Sequence, residues 1–148
     1  MKKPEPILDD EFYHDGRGPE LQRVVWKFRG QIMAGFEYFN PDDVYDDDHL
    51  RHLILEKVEA YSMASEEVHR HICASGKSRA ARFRVPESSW KATFQQRHLG
   101  DCEHYQIMFY DEIFDVICRS VSAGKGKFPE KKTQQIDAEG PPIVGPRL

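Results

Sequence analysis

The residues best suited to chemistry in this 148-residue chain are seven histidines, three cysteines and a cluster of basic side chains. His49, His52 and Glu56 recur at i, i+3 and i+7. On a helix that spacing brings two imidazoles and a carboxylate to one polar face, where they could share Zn²⁺ or a non-haem metal if a second helix completed the shell. Glu66-x-x-His69 and Asp101-x-x-His104 echo the acid-x-x-His pairs of carboxylate-bridged metal bundles. Those bundles also need an inward Glu from each of two further helices, and the first long segment offers only Glu20 and Glu37, near its ends. His69, His71 and Cys73 carry ligand atoms too, but residues i and i+2 of a helix point about 200° apart. His98, Asp101, Cys102 and His104 surround Gly100, with nothing in the spacing to join them. Charged stripes are mostly the wet side of a helix. The expectation is therefore no bound metal and no other cofactor, with a metal-dependent helical enzyme as the minority alternative.

Other catalytic signatures are missing. GKGKF at 124–128 follows a helical pattern instead of joining a strand to a helix, and neither Gly-x-Ser-x-Gly nor His-Glu-x-x-His occurs. A non-enzymatic protein is expected.

Two sets of residues point to binding instead. Lys77, Arg79, Arg82, Arg84, Lys91 and Arg97 form a basic run interleaved with Phe83 and Trp90. Guanidinium groups take phosphates and rings stack on unpaired bases, so the run suits RNA or single strands. It suits an acidic protein surface equally well, including Asp42–Asp48 of this chain or of a second copy in a homodimer. Residues 1–65 carry 8 basic and 14 acidic side chains (−6), residues 66–100 carry 7 and 3 (+4), and residues 101–148 carry 6 and 8 (−2). A local +4 inside an acidic chain is a weak attractor for a long duplex. The second set is Trp26, Met33 and Glu37. On a helix Trp26 and Met33 lie about 120–140° from the centre of the apolar stripe, as an aromatic and methionine patch of the kind found at interface centres.

These residues need elements to hold them. Leu21, Val24, Val25, Phe28, Ile32, Phe36 and Phe39 recur at helical spacing after Gly18-Pro19, predicting a first helix from Pro19 with Gly30 and Gly35 inside it, where a neighbour could approach closely. Asn40-Pro41-Asp42-Asp43 and the aspartates at 46–48 are helix-start signals. Leu50, Leu53, Ile54, Tyr61, Ala64, Val68 and Ile72 then predict a second helix ending at Ser75-Gly76. Ala81–Val85 reads as a short strand or extended connector, Ser88–Leu99 as a shorter helix capped by Ser88 or, from the alternation of Trp90, Ala92 and Phe94, a strand, and Tyr105 to Val121 as a last long helix closed by Gly124.

The expected fold is mainly α: a single-domain bundle of three to four helices over 18–124, with a basic extended connector, an extended acidic arm at 1–17 and a disordered C-terminal tail at 125–148. The length fits one domain. Cysteines in odd number without CxxC spacing, together with an N-terminus of lysines, prolines and acids where a secretory signal has an apolar run, predict a cytoplasmic protein without a membrane span. The expected function is accessory or regulatory: binding another protein through Trp26, Met33 and Glu37, with a nucleic-acid-binding regulator using 77–97 as the alternative.

Overall fold

The computed structural model describes residues 3–8, 18–41, 43–68 and 81–129. Within them the chain forms strands β1 (Glu5–Pro6), β2 (Glu20–Arg29), β3 (Gln31–Phe39), β4 (Arg51–Glu56), β5 (Ala60–Ser65), β6 (Arg82–Val85), β7 (Glu103–Met108), β8 (Glu112–Cys118) and β9 (Ser120–Lys125). A single short helix, α1 (Ser89–Ala92), and a 3₁₀ turn at Gln96–His98 join β6 to β7. All pairings are antiparallel, in a five-stranded sheet of order β1-β6-β7-β8-β5 and a four-stranded sheet of order β2-β3-β4-β9.

The helical bundle predicted from the sequence is overturned, and the first segment shows why. Residues 19–39 form the β2–β3 hairpin, reversing at Gly30, whose φ of +70° suits glycine. A β-bulge between Leu21 and Arg23 inserts one extra residue into β2. The bulge switches the inward-facing positions from Leu21 to Val24, Trp26 and Phe28, opposite Tyr38, Phe36, Ala34 and Ile32 of β3. Inward residues at 21, 24 and 28 imitate an i, i+3, i+7 helical stripe. The β-branched and aromatic content of VVWKF and FEYF was the better guide.

The second predicted helix is β4 and β5. Three residues, Lys57 to Glu59, separate the Glu56↔Ser120 pair from Ala60↔Ile117, while only Arg119 and Cys118 lie between them on the facing strand. This second bulge, with Lys57 at φ +54°, bends the β4–β5 strand out of one sheet and into the other. Glu59 N–H to Ile117 O and Arg119 N–H to Glu56 O, both 2.8 Å, keep the ladder closed around the corner. The last predicted helix is β7, β8 and β9. Within the five-stranded sheet β7 and β8 are buried on both faces, and β8 (EIFDVIC) reads as a near-continuous apolar run, which periodicity alone does not separate from a buried helix.

The main core lies between the sheets, where Ala34, Phe36, Tyr38, Leu53 and Leu55 meet Tyr105, Ile107, Phe114 and Val116. Phe36 and Phe114 pack with ring centroids 4.7 Å apart. On the outer face of the smaller sheet, the chain turns at Gly126 (φ +84°) after β9 and lays Phe128 onto Gly35, where a Cβ would overlap its ring. Gly35 thus does mark a close approach, by a residue assigned from the sequence to the tail. Residues 130–148, like most of the N-terminal arm, lie outside the described residues.

Candidate binding site

The two sheets leave a groove where their outer strands meet. Among the described residues β2 pairs only with β3 and β5 only with β8. Between these strands opens a cavity of about 410 Å³, within the size range of ligand sites, lined by residues from four places in the chain. Trp26 and Phe28 come from β2, Ile32 from the start of β3, Val58 to Tyr61 from the corner and β5, and Trp90 and Phe94 from the helical crossover. The Trp26 and Tyr61 rings bridge the two strands at 4.6 Å, Phe28 stacks on Trp26 at 6.4 Å, and Phe94 meets Trp90 edge-on at 5.5 Å. Phe28 is 70% exposed and Tyr61 55%, so the aromatic wall faces solvent. A cavity of about 240 Å³ adjoins it, sharing Glu59, Ala60 and Phe94 and adding Gln95, His98 and Leu99.

A buried polar chain holds the crossover side of the groove. The Ser88 hydroxyl lies 2.7 Å from His104 Nδ1, and His104 Nε2 lies 2.8 Å from Asp115 Oδ1, with Gln106 Nε2 donating to the same oxygen at 3.0 Å. An ionised carboxylate only accepts, so Nε2 carries a proton, and in the neutral imidazole Nδ1 then accepts from the Ser88 O–H. His104 is 2% exposed and its ring sits 5.0 Å from that of Trp90. Ser88 also caps α1, accepting the Lys91 N–H at 3.0 Å. The order serine, histidine, carboxylate is that of an acyl-transfer relay. Here the hydroxyl oxygen serves as a helix cap, and the relay's evident effect is to tie α1 and Trp90 to β7 and β8.

The structure separates most of the residues singled out by spacing. Trp26 enters the groove, but Met33 and Glu37 project from the opposite face of the smaller sheet, because Trp26 pairs with Ala34 while Met33 pairs with Lys27. Glu37 is buried, bound by Arg23 Nε and Nη2 at 3.0 and 2.9 Å and by the Phe128 N–H at 2.8 Å. Burial pushes its pKa up, and the Arg23 and Phe128 hydrogen bonds outweigh that and hold it below the usual carboxylate value.

Of the basic run, Arg82 is wholly buried with its guanidinium 4.6 Å over the Tyr38 ring, where it reaches no solvent-borne phosphate. Arg84 is paired with Glu5 and Glu103, and Lys91 Nζ donates to Cys102 O at 2.7 Å. Arg97 is exposed on the 3₁₀ turn, and Trp90 belongs to the groove. Lys77 and Arg79 lie outside the described residues, as do His69, His71 and Cys73.

The candidate metal set does not converge either. His49 precedes β4 and bonds Asp46 at 2.6 Å, which raises its pKa. His52 bonds Gly126 O at 3.0 Å, and Glu56 takes Arg119 and Ser120. Among the described residues no three His, Cys, Asp or Glu side chains are placed to hold a metal ion. Sequence reasoning missed Phe28, Ile32, Val58, Ala60, Tyr61 and Phe94 as one site. The signal in the linear sequence was Trp26 alone, set apart from the apolar stripe; Trp90 was read with the basic run. No protein-family model matches the chain, no curated protein matches its sequence, and no solved structure matches its fold.

Proposed function

We propose that the chain is a non-enzymatic accessory protein that binds another protein through the groove between β2, β5 and α1. One observation carries this reading: both tryptophans of the chain and six further apolar side chains converge on one solvent-open groove. Solvent-facing aromatic clusters of this kind serve as interface anchors, since a partner side chain desolvates large rings at little entropic cost. Arg82, buried, and Arg84, paired with two carboxylates, lend an oligonucleotide partner no support, and the separated His49, His52 and Glu56 lend none to a metal-dependent enzyme, so the groove favours the protein-binding reading. Among the described residues no helix is long and apolar enough to cross a membrane.

The test is co-purification from source cells with the parent chain, with Trp26→Ala and with Met33→Ala. The reading expects a discrete partner that Trp26→Ala loses and Met33→Ala retains. An identical set of proteins with all three baits contradicts it.

A further inference from the structure

Among the described residues the groove has one charged lining residue, Glu59, and its position specifies the partner's chemistry. Glu59, exposed, lines both adjoining cavities and shares the larger one with Trp26, Tyr61, Trp90 and Phe94. Among the described residues its carboxylate makes no hydrogen bond or ion pair. The nearest cation in sequence, Lys57, is committed to Asp101 Oδ1 at 2.8 Å. Lys91, on the crossover side, donates to Cys102 O. A wholly apolar occupant would strip water from Glu59 and give nothing back, which is unfavourable for a carboxylate. A cation replaces that water with a charge-assisted bond and gains attraction from the ring faces.

Among cationic side chains the guanidinium fits these walls best. It is planar, more weakly hydrated than an ammonium, stacks on aromatic faces and meets a carboxylate with two parallel donors. Its apolar stem lies against rings such as Phe28 and Tyr61 while its head reaches Glu59. Resting on the protein-binding reading above, we infer that the groove receives an arginine side chain of the partner, stacked between the aromatic walls and paired with Glu59.

Three pentapeptide libraries with randomised flanks test this, carrying arginine, its neutral isostere citrulline, or norleucine at the centre. Binding is read by tryptophan emission, which reports on this groove because both tryptophans line it. The inference expects binders from the arginine library whose citrulline and norleucine counterparts bind about tenfold or more weakly. Glu59→Gln, an exposed substitution whose folding is verified by its thermal melt, removes that preference by weakening the arginine binders and strengthening the norleucine ones, because an apolar centre no longer strips water from a carboxylate. Equal binding of all three centres, or a preference that survives Glu59→Gln, overturns the arginine assignment while leaving a protein-binding groove. Absence of any binder that shifts the emission overturns both.

Discussion

At the scale of single residues, the groove depends on bonds made beneath it. Asp115 fixes the His104 tautomer, His104 takes the Ser88 hydroxyl, and Ser88 caps the helix that carries Trp90. Asp115→Asn is expected to cost about 1–3 kcal/mol in urea unfolding, because it weakens the acceptor for a buried N–H. Ser88→Ala should cost about 1 kcal/mol, as for loss of a helix cap. A fluorophosphonate probe should leave Ser88 unmodified, and covalent labelling seen by intact mass would contradict the reading of Ser88 as a cap. Glu37 gives a pH signature. Its folded pKa lies below the usual 4.5, so its contribution is fully present above about 4.5 and is lost as the pH falls through the lower folded value. Glu37→Gln should lower stability at pH 7 and flatten the acid limb of the stability profile, and an unchanged limb would count against the Arg23–Glu37 pair.

At the scale of elements, Phe128 closes the outer face of the smaller sheet by occupying the space that Gly35 leaves. Phe128→Ala is expected to cost about 3 kcal/mol, in the range for buried aromatic truncation. Gly35→Ala should also destabilise, by about 1–3 kcal/mol, as overpacking does. The double variant should cost less than the sum, since removing the ring removes the overlap, and strict additivity in equilibrium unfolding would contradict the contact.

The same elements show what the sequence made legible. Gly35 as a point of close approach, Ser88 as a cap and the short extended segment at Ala81–Val85 were readable, because each depends on local backbone or cap chemistry. Strand identity was not. The Leu21/Arg23 bulge converted a period of two into an apparent helical stripe, and burial of both faces of β8 blurred its alternation into an apolar run. The groove was readable only as Trp26, because its remaining walls come together through the corner at Lys57–Glu59 and the crossover after β6, neither of which leaves a periodic trace.

At the scale of the whole molecule, two bent sheets share a core and leave an aromatic groove open at their junction. Burial, followed by the neighbouring Cys102, pushes the Cys118 thiol up to about 12, and burial also raises that of Cys102. In a Cys73→Ser background both thiols should resist an aromatic disulfide reagent in native buffer and react fully in guanidinium. Rapid native labelling would contradict the closed core.

The most direct test of the account places a photo-crosslinking benzoylphenylalanine at Phe28, on the exposed wall of the groove, and in a second protein at Val44, equally exposed but not part of it. Irradiation in source cells is predicted to give a discrete adduct from position 28 that disappears with Trp26→Ala, and none of the same mass from position 44. Identical adducts from both positions, or an adduct at 28 indifferent to Trp26, would contradict the groove as the binding surface.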